Sequence, residues 1–245
     1  HLIVDQLEQV NPERKEVVLK TQTLSFDYLI LANGAGKMKH KGLENTYSIC
    51  GSPEQSMLIQ TQLNSLIEKG SGKIAVGFGG NPKDKSAVRG GPAFELMFNI
   101  INKLKSEGVY KNFNISFFAP MESPGKRMGK SGLKMLDSML KSEKIEARVG
   151  KKIAEFVTDG VLFEDGSKLE SDLTLFIPAT NGSEALQSSN LPKNEAGFIR
   201  IDDNCRVEGH ETIYAIGDVA SIPEYEWSAK QGHTAVVMAR NAAFN

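Results

Sequence analysis

Apolar residues along the chain fall into short continuous or alternating runs, which predict strands, and into runs of helical spacing. Residues 28–32 are a continuous apolar run, typical of a strand buried on both faces, and residues 173–177 predict a second buried strand. Residues 73–78 and 114–118 predict two more strands. Between them a helix is predicted to begin near Gly91, with apolar residues at i, i+3, i+4, i+7 and i+10. This strand–helix–strand order is the unit of a parallel sheet with a right-handed crossover.

Capping signals predict the ends of the other helices. Ser52 followed by Pro53, with a glutamine three residues after the serine, is typical of a capped helix start, and Gly70 marks the stop. Two further helices are predicted over residues 129–142 and 227–241.

Two Asp-Gly pairs each predict a hairpin and together predict a β-meander over residues 152–170. Other strands are predicted at residues 2–10, 15–19, 146–149, 198–201 and 212–216. The pattern therefore predicts an α/β protein, with a Rossmann-like parallel sheet, an inserted β-meander and a second, partial domain made from both ends of the chain.

Composition narrows the class of protein. The 245 residues carry 29 Lys and Arg against 30 Asp and Glu, and the net charge of −1 argues against electrostatic binding of nucleic acid. It also gives no sign of a membrane-binding patch. Cys50 and Cys205 lie far apart and form neither a metal knuckle nor a disulfide framework, which favours a reducing compartment. Without an apolar run of about 18 residues, the chain is predicted to be soluble.

The glycines after the strand at residues 73–78 are the first candidate for chemistry. Gly77 and Gly79 would let the backbone approach a pyrophosphate held at the N-terminus of the next helix. Pro82 stands where a regular GxGxxG has its third glycine, so residues 81–89 form an insertion in the phosphate turn. Its charges Lys83, Lys85 and Arg89 either contact phosphate or lie in a solvated loop. Two interpretations stay open: a site that still binds NAD, and a scaffold that no longer does.

The run at residues 212–220 is the second candidate, and its pattern is more specific. A buried strand that ends in Gly217 and Asp218 places a carboxylate at the carboxyl edge of a sheet, where it can accept hydrogen bonds from sugar-like hydroxyls. The glycine permits close backbone approach. The alternative is an ordinary turn aspartate.

These runs resemble motifs of the pyridine nucleotide-disulfide oxidoreductase superfamily, whose members are flavoproteins with two dinucleotide folds. Residues 26–35 are similar to the family motif D-Y-L-(V/I)-(I/L)-A-T-G, with Asn33 in place of the threonine. Residues 214–220 match Y-A-x-G-D-x-A, whose aspartate hydrogen-bonds the FAD ribityl chain. The resemblance implies contacts to FAD at Ala32, Asn33, Gly34, Gly217 and Asp218.

Residues 229–241 resemble the helix that type II NADH dehydrogenases and sulfide:quinone oxidoreductases direct at the flavin. The resemblance implies that Lys230 and Gln231 bind the cofactor and that a helix N-terminus stabilises negative charge on the reduced flavin. The alternative is a packing helix of small residues. His233 either relays a proton to a quinone or is a hydrogen-bonded core imidazole.

The run G-P-A-F-E that ends at Glu95 is similar to the G-P-A-Y-E motif of the sulfide:quinone oxidoreductase and flavocytochrome c sulfide dehydrogenase branch. That branch has a redox cysteine three residues before the first glycine of the motif, where this chain has Val88, so the match to sulfide oxidation breaks here. A retained NADH site would use Gly77, Gly79 and Glu95.

Cys50 lies in a segment similar to the S-I-C-T segment of the same branch. Because it precedes a helix start, its thiolate would be stabilised and its pKa lowered, which makes it a candidate catalytic residue. The alternative is a small buried hydrophobic side chain. Cys205 is predicted to be a packing residue.

The resemblance also predicts the organisation of the chain: residues 1–48 as part of an FAD-binding domain, residues 49–194 as an NAD(P)-binding-like Rossmann domain, and residues 195–245 as the return to the FAD-binding domain. The family's opening GxGxxG and its C-terminal domain are absent from this sequence, which is therefore expected to be a fragment that binds FAD poorly alone. A dimer or membrane surface would belong to the missing C-terminal part, and whether the protein is a homodimer stays open.

The function implied by the resemblance is an FAD-dependent oxidoreductase that transfers electrons from NADH or a sulfur compound through the flavin to a quinone or similar acceptor. Its partners would be small molecules rather than nucleic acid, and its location would be cytoplasmic, with any contact to the inner face of a membrane made by the missing part. The alternative is a catalytically degenerate dinucleotide fold used for binding or interaction.

Overall fold

The structure is a computed structural model that describes residues 1–225 and 227–245. Two compact units divide the chain. Unit 1 comprises His1–Met38, Asn81–Ala87 and Thr180–Asn245, and unit 2 comprises Lys39–Gly80 and Val88–Ala179.

Four α-helices and sixteen short strands are present among the described residues. The helices are α1 (Pro53–Lys69), α2 (Gly91–Ser106), α3 (Gly129–Ser142) and α4 (Gly232–Phe244). The strands of unit 1 are β1 (Leu7–Asn11), β2 (Glu16–Leu19), β3 (Thr23–Ser25), β4 (Leu29–Leu31), β5 (Gly36–Lys37), β13 (Thr180–Asn181), β14 (Ile199–Arg200), β15 (Ile213–Ala215) and β16 (Ala220–Ser221). Those of unit 2 are β6 (Gly72–Phe78), β7 (Phe113–Ala119), β8 (Glu146–Val149), β9 (Ile153–Val157), β10 (Gly160–Phe163), β11 (Lys168–Glu170) and β12 (Leu173–Ile177).

Unit 2 is built on a four-stranded parallel sheet in the order β12-β6-β7-β8. Helices α1 and α2 pack against β6 through a core of aliphatic and aromatic side chains. The antiparallel meander β9–β11 contributes Phe156, Val161 and Phe163 to a second apolar cluster, which includes Phe118 and Phe176 of the sheet. The predicted Rossmann-like parallel sheet with an inserted β-meander is confirmed.

Helix α1 begins and ends where the sequence predicts. Ser52 is the N-cap residue, proline occupies the first turn, and Gly70 ends the helix with a φ of 82°. The predicted capping bond from the Ser52 side chain to the helix backbone is not formed. The Ser52 hydroxyl instead bonds the carboxylate of Glu54 and lowers the pKa of that group.

Unit 1 contains the antiparallel sheet β1–β3 and three parallel or antiparallel strand pairs, of which β4 with β15 carries the two sequence motifs. The prediction that residues 28–32 are buried on both faces is wrong. Tyr28 is 71% exposed and Ile30 is 48% exposed, whereas Leu31 is buried. Only alternate side chains of this strand reach the core, because the sheet buries one of its faces.

The predicted boundaries of the middle domain, at residues 49 and 194, do not coincide with the boundaries between the two compact units. Residues 39–48 belong to unit 2, where the Phe176 amide donates to the Tyr47 carbonyl at 2.9 Å. Residues 180–194 belong to unit 1, because β13 pairs with β5 and Leu186 and Leu191 lie in its core. The assignment of each predicted domain to a cofactor stays a prediction.

Helix α4 begins at Gly232, not at the predicted residue 227. Over the four residues before Gln231, the chain is held in place by other contacts: the Ser228 amide donates to Ser86 Oγ at 2.9 Å, and Lys230 bonds two backbone carbonyls. Across the described residues, the helices are too short or too polar to cross a membrane.

Candidate cofactor site

The two motifs of unit 1 lie at the same edge of a sheet, at the ends of two neighbouring strands. Strands β4 and β15 are parallel neighbours with Leu31 opposite Ala215, and the Ile216 amide donates to the Leu31 carbonyl at 2.9 Å. Residues 32–34 and 217–218 therefore follow the carboxyl ends of adjacent strands. In open α/β sheets this edge is where ligands bind.

Glycine is required by the backbone at both strand ends. Gly34 has a φ of 71° and Gly217 a φ of 70°, in the left-handed region that other residues rarely adopt. A Cβ on Gly34 would meet nothing within 4 Å, so the space beside it is open. A Cβ on Gly217 would lie 3.2 Å from the Ala235 side chain, so α4 passes close to this turn.

Lys230 fixes the turn that carries Asp218. Its Nζ donates to the carbonyls of Asp218 at 3.0 Å and Ala220 at 2.7 Å, and it lies 3.8 Å from the centroid of the Phe198 ring. The residues between, 217–219, form one turn of 3₁₀-helix. Asp218 is half-buried and lies at the sheet edge, in a turn whose carbonyl groups are fixed by the hydrogen bonds from Lys230.

The other predicted residues of this edge are accessible. Ala32 and Asn33 are exposed, and Asn33 Nδ2 donates to Ser183 Oγ at 2.5 Å. Gln231 is the exposed N-cap residue of α4. His233 is exposed in the first turn of that helix, so the interpretation as a core imidazole is wrong and the proton relay stays a prediction.

Residues 81–87 belong to this unit and pack against it, although Lys83 and Lys85 are exposed, as predicted for the charges of a solvated loop. Asn81 Nδ2 donates to the Thr180 carbonyl at 2.8 Å, and Asn194 Nδ2 donates to Asp84 Oδ2 at 2.8 Å. Ala87 is completely buried beside Phe198. No local pattern could reveal this packing, because the partners lie about a hundred residues away in sequence.

The glycines predicted to cradle a dinucleotide in unit 2 have a different setting. Gly77 lies inside β6, and a Cβ on it would stand 2.5 Å from the Phe118 carbonyl oxygen and 2.5 Å from its ring. A Cβ on Gly79 would stand 2.9 Å from the Ala179 nitrogen and 3.2 Å from the Phe176 ring. The chain itself fills the space beside both glycines, so close packing explains them, and whether they also bind a dinucleotide stays a prediction. Glu95 is exposed on α2.

His40 is a feature of this region that sequence reasoning missed. Its ring meets those of Phe156 and Phe176 edge to face, with centroids 6.0 and 5.2 Å away. Its Nε2 is buried without a hydrogen-bond partner among the described residues and lies 3.4 Å from the Cβ position of Gly79. Burial lowers the pKa of the imidazole. The residue lies in an irregular segment, where no periodicity marks it.

The cysteines are in contrasting environments. Cys50 is half-buried against the core of unit 2, and its amide donates to Ser48 Oγ at 3.3 Å, so both interpretations of this thiol stay open. Val88 packs against the same core. Cys205 is 3% exposed, which confirms a packing residue, and burial raises the pKa of its thiol.

The parallel sheet with its meander and the glycine-rich strand ends define a Rossmann-like α/β protein of the dinucleotide-binding class. Residues 2–243 match the family described as pyridine nucleotide-disulphide oxidoreductase, and the chain belongs to this family. Members of the family bind FAD and NAD(P).

Among curated proteins, the chain is 23% identical over 235 residues to apoptosis-inducing factor homolog B of Dictyostelium discoideum, a match that covers 89% of this chain and 58% of that protein. It is 26% identical over 97 residues to an NADH dehydrogenase-like protein of Mycobacterium tuberculosis, a match to 40% of this chain and 24% of that protein. The chain thus spans well under two thirds of the length of these relatives.

Among solved structures, the sulfide:quinone oxidoreductase of Aquifex aeolicus matches with a TM-score of 0.79 at 18% identity, over 98% of this chain and 61% of that one. The ferredoxin reductase for the CYP199A2 system of Rhodopseudomonas palustris matches with a TM-score of 0.73 at 17% identity, over 99% and 57% of the two chains. At these identities the likeness shows the fold.

Proposed function

We propose that this chain is part of an FAD-dependent oxidoreductase that passes electrons from a small reductant, NADH or a sulfur compound, through the flavin to a quinone or similar acceptor. The observation that carries the proposal is the edge shared by β4 and β15, where left-handed Gly34 follows one strand and left-handed Gly217 with Asp218 follows the other. A module without redox chemistry has no need for both family motifs at one sheet edge.

The residues at this edge fit the flavin. The open space beside Gly34 lets a ligand approach the backbone, and Asp218 offers a carboxylate to the hydroxyls of a ribityl chain. When bound, flavin supplies two-electron chemistry that no protein side chain supplies. The residues proposed to hold it are Ala32, Asn33, Gly34, Gly217, Asp218, Lys230 and Gln231.

Two observations limit the choice of electron donor, and they point in opposite directions. The packed surroundings of Gly77 and Gly79 count against a regular NADH site. The replacement of the second redox cysteine by Val88 counts against sulfide, because persulfide relay needs two thiols and Cys205 is buried. The proposal therefore names the donor only as a small two-electron reductant, and Cys50, His233 and Glu95 are its candidate residues.

The proposal is tested in the full-length protein by titration with FAD, followed by flavin absorbance. Asp218→Asn should weaken FAD binding roughly tenfold to a hundredfold, because a hydrogen bond to a charged group contributes about 1.5–3 kcal/mol. Asp203→Asn, at an exposed aspartate of the same unit, is the matched control and should bind as the parent does. Equal affinity of the Asp218 variant and the parent would remove the basis of the proposal.

Anaerobic addition of NADH and, separately, of sulfide then identifies the donor. Bleaching of the flavin by NADH, with reoxidation by a quinone, would identify a type II NADH dehydrogenase-like reaction. Bleaching by sulfide alone, abolished by Cys50→Ser, would identify a sulfide:quinone oxidoreductase-like reaction. A single thiol would then be at the centre of the mechanism.

The second candidate function is a dinucleotide fold retained for binding or interaction without turnover. The packing that fills the space beside Gly77 and Gly79 favours it, because those glycines are explained by the fold alone. This candidate predicts that the flavin, when bound, is bleached by neither reductant.

A further inference from the structure

Helix α3 of unit 2 presents an outward face that combines methionines with cations. Met128, Met135 and Met139 are 52%, 67% and 36% exposed, and they recur along one side of the helix over about 16 Å. The opposite side of α3 carries half-buried leucines that face its own unit. These are Leu133, Leu136 and Leu140.

Positive charge is concentrated around these methionines. Residues 125–136 contain four cations and no carboxylate, although the whole chain has a net charge of −1. The four are exposed: Lys126, Arg127, Lys130 and Lys134. The three lysines form no ion pair with any described residue. The carboxylate that follows, Asp137, is bonded to Lys141 at 2.6 Å. The balanced total charge therefore conceals a local cationic surface.

A shallow groove of about 530 Å³ runs along this face and brings the two kinds of side chain together. It is lined by Ser131, Lys134, Met135, Ser138, Met139 and Ser142. A lipid bilayer has a hydrocarbon interior beneath a layer of polar headgroups, which is anionic in some membranes. The methionines match the hydrocarbon, and the lysine and the serine hydroxyls match the anionic headgroups. Lys126 and Arg127 lie in the 3₁₀ turn directly before α3, and Lys130 and Lys134 lie in the helix. Clusters of four or more cations on or beside an amphipathic helix are typical of segments that bind anionic lipid.

Other occupants fit the face less well. In a two-fold dimer the same patch would meet itself, so four cations would face four cations, and like charges in contact oppose association. A nucleic acid offers phosphates to the lysines but nothing to the three exposed methionines.

We infer that the outward face of α3, with the cations of residues 126–134 and the methionines at 128, 135 and 139, binds the surface of an anionic membrane. The inference goes beyond the proposed redox function and does not depend on the identity of the electron donor.

The test is co-sedimentation of the full-length protein with vesicles of phosphatidylcholine, with and without phosphatidylglycerol. Binding should require phosphatidylglycerol and should weaken as salt is raised, because exposed charges are screened. Lys126→Gln, Lys130→Gln and Lys134→Gln together should lower the partition coefficient roughly a hundredfold, since each lysine near an anionic surface contributes about a factor of five. Met135→Gln with Met139→Gln should lower it roughly tenfold.

A matched triple variant separates a local site from general charge. Lys20→Gln, Lys69→Gln and Lys111→Gln remove the same charge at exposed positions elsewhere and should leave binding close to that of the parent. Thermal unfolding of every variant checks that the fold is kept. Binding that ignores the headgroup, or that both triple variants reduce equally, would overturn the inference. So would vesicle binding that is absent while a poly-glutamate peptide is bound through the same three lysines, because the occupant would then be an acidic polypeptide.

Discussion

Two sets of glycines follow or end parallel strands in this molecule, and they serve different purposes. In unit 1, Gly34 and Gly217 have positive φ, and the space beside Gly34 is open. In unit 2, Gly77 and Gly79 have ordinary backbone angles, and neighbouring atoms fill the place of their absent Cβ atoms. The first set is required by the turn of the chain, the second by close packing.

The difference separates residues that are free to receive a ligand from residues that complete a core. A glycine at an open, left-handed strand end leaves its backbone accessible. A glycine covered by Phe118 or Phe176 lets aromatic rings lie flat on the sheet, and the apolar cluster of unit 2 depends on it. A glycine near a strand end is thus explained by a left-handed turn in unit 1 and by close packing in unit 2.

Gly77→Ala is expected to have the largest effect on stability. Its Cβ would overlap the Phe118 carbonyl oxygen at 2.5 Å, a backbone atom that cannot move aside without disturbing the register of β6 and β7. We expect a loss of about 3 kcal/mol in the free energy of unfolding, at the upper end for overpacked cores. Urea unfolding followed by circular dichroism measures it. Gly91→Ala, at an open site with no positive φ, should change stability little, and a similar loss in both variants would contradict the packing argument.

Lys230→Met is expected to have the second-largest effect, and it tests the turn after β15 in unit 1. The variant loses charge-assisted bonds to the Asp218 and Ala220 carbonyls but keeps much of the apolar stem over Phe198. Residues 217–220 should lose protection from hydrogen exchange, and FAD affinity should fall roughly tenfold. Lys230→Arg, which keeps the charge, should recover part of both. A loss of affinity with unchanged exchange would mean that Lys230 contacts the cofactor directly.

Gly217→Ala should cost about 1–2 kcal/mol, mainly through the left-handed backbone. Gly34→Ala has the same backbone cost but no neighbour within 4 Å, so it should be slightly less harmful to stability. Asparagine, which tolerates positive φ, should be better accepted than alanine at Gly34. Thermal unfolding measures all three, and a neutral Gly217→Ala would show that the turn can relax.

The elements that the sequence predicts well are those specified by residues close together in the chain. Helix α1 follows from Ser52, Pro53 and Gly70, and β12 from four apolar residues around a threonine. The edge of the candidate site follows from the same kind of local signal, because two short motifs each place polar residues directly after an apolar run. Their pairing then follows from the parallel strands β4 and β15.

The features that the sequence does not reveal depend on distant partners. Residues 81–87 join unit 1 through bonds to Thr180 and Asn194, and Tyr28 is exposed although it belongs to an apolar run. Nor does the glycine pattern at Gly77 show that Phe118 will occupy the space beside it. In each case the local pattern carries no information on which distant residues pack against the segment.

Substitution of His40 is expected to have the smallest effect on stability, and that effect should depend on pH in unit 2 but not in unit 1. Its imidazole lies among Phe156 and Phe176 beside Gly79, and burial lowers its pKa below the usual 6.5. The unfolded chain therefore binds a proton more readily than the folded one, so stability is fully present above about pH 6.5 and declines as the pH falls below it. His40→Phe keeps the ring contacts and removes this titration.

At pH 7 the parent and His40→Phe should differ little. Below pH 6.5 the parent should lose stability faster, by at most one proton's linkage, about 1.4 kcal/mol per pH unit. Hydrogen exchange resolved by peptide is the measurement, since the difference should appear at the amides of β6 and β12 and be absent from those of β4 and β15. The comparison would fail if both pairs of strands responded equally, because the lowered pKa belongs to an imidazole that packs against Phe156 and Phe176 of unit 2.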